Sequence, residues 1–132
     1  MDILIDTNII ISAALFPSER MTHFLSVISD ENNLFLCSYS LEEIRRVVKR
    51  KFPEKQREME IFLQKLRYTL VYTPSIEILD GIVLRDPNDY PILASAIISN
   101  VDILITGDRD FDGLDIERPE ILTIREFIEK YA

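Results

Sequence analysis

Short unbroken apolar runs recur along this chain, and stretches with helical spacing lie between them. Residues 2–5 (Asp2-Ile3-Leu4-Ile5) read as the first such strand, "LFLC" (34–37) as the second and "TLVYT" (69–73) as the third. "DILIT" (102–106) and "EILTI" (120–124) follow. A half-exposed strand alternates apolar and polar residues; a continuous run marks a strand buried on both faces. Helical spacing appears from Asn8 to Leu15, ended by Pro17, and at 18–29 through Met21, Phe24, Leu25 and Ile28. It returns at 39–52, where Leu41, Ile44, Val47 and Val48 form a stripe that stops at Pro53. Residues 54–67, 88–100 and 125–131 complete the helical set. Strands alternating with helices predict an α/β domain, a parallel sheet covered on both faces, spanning 1–132 as a single unit.

Composition narrows the function. A hydrophobic fraction of 47% in 132 residues supplies a core, and no apolar run reaches the length of a membrane span. The one cysteine, Cys37, lies in an apolar stretch and reads as a small core residue. With no basic-then-apolar leader, the expected compartment is the reducing cytoplasm, with no membrane partner. The net charge of −8 opposes bulk attraction to nucleic acid, yet residues 45–57 hold seven of the fifteen basic residues against one acid. That run is either a solvated face paired with Glu42 and Glu54 or a surface for phosphates.

Four acids are placed oddly for a soluble fold. Asp6 follows the first strand and Asp108 the fourth, so both stand at carboxyl ends of a parallel sheet, where sites form at the topological switch point. Glu43 borders the apolar stripe of its helix, whereas Glu42 points among Arg45, Arg46 and Lys49 as a surface ion pair. Asp89 precedes Ile92 and Leu93 on the buried stripe at a helix start. Each has a plainer reading. Ser40-Leu41-Glu42-Glu43 matches a capping box, "DPND" (86–89) a capped start with Pro at the first position, Asp6 a helix cap and Asp108 a turn residue. Singly these readings are adequate; together they leave unexplained why all four fall on one edge of the sheet. Carboxylates crowded there repel unless a cation intervenes. Oxygen ligands without His or Cys suit Mg²⁺ or Mn²⁺, and such a site supports phosphodiester hydrolysis.

The segments "IDTNIIISA", "SLEEI", "DPNDYPILASAI" and "ILITGDRDF", in this order, resemble the PIN-domain family over essentially the whole chain, most closely its VapC-like toxin branch. The resemblance implies a three-layer α/β/α sandwich with a mostly parallel sheet of about five strands. It implies a metal-dependent endoribonuclease acting on RNA, with Asp6, Glu43, Asp89 and Asp108 as catalytic and metal-binding acids. Asn8 and Thr106 match polar positions that orient them. Asp110 is a secondary acid, and Asp86 is the alternative to Asp89. It further implies a homodimer held inactive by a cognate antitoxin. Under this reading Arg45, Arg46, Lys49 and Arg50 contact RNA.

Two other functions compete. A doubly wound phosphomonoesterase also uses an Asp after its first strand, but needs a second Asp two residues on, where this chain has Asn8, and a Lys near Asp89, where none stands. A non-catalytic PIN-like module binding nucleic acid or protein would not need the acid set. His23 reads as a surface or half-buried packing residue, and the phenylalanines, Phe16 among them, as mostly core.

Overall fold

The computed structural model describes residues 1–107, 111 and 114–132. Its strands are β1 (Asp2–Ile5), β2 (Asn33–Cys37), β3 (Thr69–Val71), β4 (Ile103–Ile105) and β5 (Glu120–Leu122). Its helices are α1 (Thr7–Leu15), α2 (Glu19–Glu31), α3 (Ser38–Lys51), α4 (Gln56–Lys65), α5 (Asp89–Ile98) and α6 (Ile124–Tyr131). Every strand and helix expected from the spacing is present. Two short 3₁₀ turns, Pro53–Lys55 and Ile76–Leu79, are additions that the spacing did not suggest.

The strands form one sheet in the order β3-β2-β1-β4-β5, and all four pairings are parallel. β1 is central, with Leu4 opposite Phe35 on one side and Leu104 on the other. Alternation within the apolar runs explains their composition. Ile3, Ile5, Ile103 and Ile105 enter one core with α1, α2, α3, α4 and α6 residues; Leu4 and Leu104 enter the other, with Ile92, Leu93 and Ala96 of α5. The result is an α/β/α sandwich with unequal layers. The thinner one is completed by Leu79 and Leu84 from the segment before α5.

The amino end of the sheet is clamped. Asp102 accepts from the Asp2 N–H at 2.8 Å and from Arg118 at 2.6 Å, and Arg118 also donates to the carbonyls of Asn100 and Val101. Among the described residues no helix is long and apolar enough to cross a membrane.

Several local expectations are corrected. α3 begins at Ser38, with Cys37 of the preceding strand as its N-cap, so Ser40 is buried inside the helix and accepts from the Cys37 thiol. The capping box at Ser40–Glu43 therefore does not form. The same pattern is used instead at α6, where Thr123 and Glu126 bond each other's backbone N–H. Among the described residues Glu42 makes no ion pair; Arg45 reaches across to Glu60 on α4 at 2.8 Å. Phe16 is not core: it is 52% exposed, stacked edge-on against Phe52 with the Lys55 ammonium over its ring. His23 is exposed.

Phe24 and Phe127 are fully buried and pack edge to face at 5.9 Å between α2 and α6. Phe24→Ala is expected to cost about 3–5 kcal/mol, against less than about 1 kcal/mol for Phe16→Ala, read from urea unfolding midpoints.

Candidate active site

Asp6 ends β1 and caps α1, and both roles come from its position. Its N–H continues the ladder by donating to the Ile105 carbonyl at 3.0 Å, and its carboxylate then turns back over the helix start. Oδ1 accepts from the Thr7 N–H at 2.6 Å and Oδ2 from the Thr106 hydroxyl at 2.8 Å. The side chain is 7% exposed, so this carboxylate sits where the macrodipole of α1 and two hydrogen bonds favour its charge. The expected cap and the expected site residue are thus one residue. Thr106, 1% exposed, follows β4, the neighbour of β1. In the order β3-β2-β1-β4-β5 the chain reverses direction across the sheet between β1 and β4, which makes Asp6–Thr106 the switch point.

Asp89 is the first residue of α5 and is 6% exposed. The turn ahead of it separates the two acids of "DPND". Asp86 Oδ1 accepts from the Asn88 N–H at 3.0 Å, and its carbonyl accepts from the Asp89 N–H at 3.0 Å. Asp86 therefore closes the turn ahead of α5, whose N-cap Asn88 makes no side-chain capping bond, and the buried carboxylate is Asp89. Pro87 lies in the turn, not in the helix.

Glu43 stands on α3 with 18% of its side chain exposed. It accepts from the Tyr39 hydroxyl at 3.3 Å, one turn earlier, and lies 3.8 Å from the Arg46 guanidinium. The same hydroxyl lies 3.3 Å from Asn88 Oδ1, so Tyr39 ties α3 to the turn that carries Asp89. Burial, and next the charge of Glu43, push the Tyr39 hydroxyl above its ordinary pKa. Tyr39 was missed in the sequence, although its spacing to Glu43 was a usable signal. Behind it the Tyr39 N–H and the Ser95 hydroxyl both reach Thr73, at 3.1 and 3.0 Å, which seats the start of α3 on α5. Nothing in the local sequence marked Thr73.

Asn8 is exposed on the first turn of α1. Asp108 and Asp110 lie outside the described residues. Among those described, no three acidic, thiol or imidazole side chains stand close enough to hold a metal ion, so Asp6, Glu43 and Asp89 alone do not close a ligand set. Their chemistry still fits a hard cation: all are oxygen donors, and the Thr7 hydroxyl beside Asp6 is buried with no hydrogen-bond partner among the described residues. The Arg45, Arg46, Lys49 and Arg50 side chains project from α3, Arg46 nearest the acids through its approach to Glu43.

A family model for the PIN domain matches residues 2–110. The chain is similar to the crystal structure of VapBC2 from Rickettsia felis bound to a DNA fragment from their promoter, at 22% identity, with 92% of this chain and 97% of that one covered and a TM-score of 0.71. It is also similar to VapC20 from Mycobacterium tuberculosis, a sarcin-ricin loop cleaving toxin, at 11% identity, with 86% and 95% covered and a TM-score of 0.62. No functionally curated protein matches it.

Thr106→Val keeps the shape and removes the hydroxyl that donates to Asp6. It is expected to lower stability by about 1–3 kcal/mol, whereas Thr106→Ser restores most of it, as chemical denaturation of the two variants would report.

Proposed function

Because this chain belongs to the PIN domain family, we propose that it is a divalent-metal-dependent endoribonuclease, the toxin half of a toxin–antitoxin pair. The observation that carries this reading is the buried Asp6 carboxylate, fixed by Thr106 at the switch point of the sheet. Asp89 begins a helix, and Glu43 is joined through Tyr39 to the turn preceding Asp89.

Asp6, Glu43 and Asp89, with Asp108 from outside the described residues, would hold Mg²⁺ or Mn²⁺. Bound there, the ion supplies an activated water and offsets charge on the phosphodiester. The residues of the chain have separate tasks. Thr106 and the Thr7 N–H hold Asp6 ionised and aimed, so that little reorganisation is needed when substrate arrives. Tyr39 donates to Glu43 and joins it to the turn that precedes Asp89. Asn8, exposed on the first turn of α1, would be available to a phosphate oxygen of the substrate.

RNA is supported as substrate by the described activity of VapC20, and a protein partner by the solved VapBC2 complex, each a fold relative of this chain. An antitoxin would act by covering the acidic edge. The homodimer and the cytoplasmic setting belong to the same reading.

Purified protein is incubated with labelled RNA and DNA in Mg²⁺, Mn²⁺ or EDTA. The expected result is metal-dependent cleavage of RNA that Asp6→Asn reduces by at least about a hundredfold while the circular dichroism spectrum is unchanged. Cleavage that persists in Asp6→Asn or in EDTA would overturn the reading. Phosphate release from a small monoester would replace it with the phosphomonoesterase, and binding without turnover with the non-catalytic module.

A further inference from the structure

α3 and α4 part enough to leave a cavity of about 400 Å³ between them. Its floor is Val48 and Met59, both 1% exposed, and its mouth carries Arg46, Lys49, Gln56 and Glu60. An apolar floor with a few polar groups at the rim is the build of a site for a flat organic ring.

Three observations identify the ring. First, the cations are available. Lys49 and Arg50 make no ion pair among the described residues, and Arg46 is held only by a long ion pair to Glu43, at 3.8 Å. They stand within a run of seven cations and one acid in a chain of net charge −8, so an anion is drawn to this face and repelled elsewhere. Second, the mouth also holds a fixed acceptor: Arg45 bonds both Glu60 oxygens, at 2.8 and 3.5 Å, and so orients that carboxylate. An acidic peptide would satisfy the cations but meet like charge at Glu60. A nucleobase with an amino-bearing edge donates to it. Third, Arg46 both lines the cavity and approaches Glu43, so the cavity adjoins the acidic edge. Arg46, Lys49 and Arg50 are three and four residues apart, on one side of α3.

We propose that this cavity is a subsite for one unstacked nucleobase of single-stranded RNA, with the strand's phosphates on Arg46, Lys49 and Arg50 and its amino-bearing edge on Glu60. Val48 and Met59 take the face of the base, as in other single-strand sites where stacking and a cationic track combine. The choice of RNA rests on the ribonuclease reading; the cavity and its charges do not.

The test is a binding measurement on Asp6→Asn protein in EDTA, where no cleavage occurs. Fluorescence anisotropy follows a labelled single-stranded RNA oligonucleotide and a set of copies with one abasic position moved along the strand. One position is expected to lose about tenfold in affinity when its base is removed. Lys49→Glu, a surface change, is expected to weaken the intact strand and to flatten the slope of log Kd against log salt by about 0.7 or more. A uniform abasic profile, or Lys49→Glu binding with unchanged affinity and slope, overturns the subsite. So does a poly-glutamate peptide that binds the Asp6→Asn protein and loses affinity in Lys49→Glu while RNA does not. Wild-type protein that cleaves RNA alongside a uniform abasic profile would count against the subsite alone. Wild-type protein that cleaves nothing, beside a single sensitive position, would count against the ribonuclease reading and leave the subsite standing.

Discussion

The structure turns on a carboxylate that burial should disfavour. Asp6 sits at the carboxyl end of the central strand, and its charge is tolerable there because three elements meet around it: the end of β1, the first turn of α1 and the hydroxyl that follows β4. Each contributes something the others do not. The helix supplies an N–H and the positive end of its dipole, the neighbouring strand supplies Thr106, and the ladder bond from the Asp6 N–H to Ile105 fixes the backbone from which the side chain departs. A Leu or Val at this position would take the acceptor from the Thr7 N–H and the buried Thr106 hydroxyl, so the three elements and the carboxylate require one another.

The second half of the edge is organised differently. Glu43 and Asp89 come from helices on opposite faces of the sheet, and no strand ladder joins them. Their relation is carried by side chains: Tyr39 spans to Asn88, and Thr73 receives both the Tyr39 N–H and the Ser95 hydroxyl. Asp86 closes the turn so that Asp89 can begin its helix facing inward. Ladder geometry therefore sets one side of the edge rigidly. The other depends on side-chain hydrogen bonds of 3.0–3.3 Å, of which the Tyr39–Asn88 bond is exposed to water and the Ser95–Thr73 bond is sheltered.

Much of this was legible from spacing. Residues such as Ile3, Leu4 and Ile5 have no polar alternation because both faces of β1 are covered, and that single pattern yields a parallel sheet and hence the edge on which Asp6 stands. What spacing does not carry is the competition between identical local signals. Ser40-x-x-Glu43 and Thr123-x-x-Glu126 have the same capping pattern, yet only the second caps a helix. The difference is tertiary: β2 passes directly into α3, so the helix is already under way when Ser40 is reached, and Ser40 is buried. Glu42 illustrates the same limit. It lies beside Arg45 and Arg46 in the chain, but α4 packs close enough to offer Glu60, and Arg45 takes the partner from the neighbouring helix. Thr73 is illegible because its partners, Tyr39 and Ser95, are distant in sequence; Tyr39 is half legible, its spacing to Glu43 being local and its reach to Asn88 not.

The Asp6–Thr106 bond joins residues a hundred positions apart, and its consequence reaches back to synthesis. While the polypeptide is still being made, the first strand, its helix and the second strand can assemble, but the place beside β1 where β4 belongs stays empty until nearly four-fifths of the chain has emerged from the ribosome. A nascent or prematurely terminated product therefore carries Asp6 without its partner and has no assembled centre. The Asp6–Thr106 pair is thus completed late, with the finished fold.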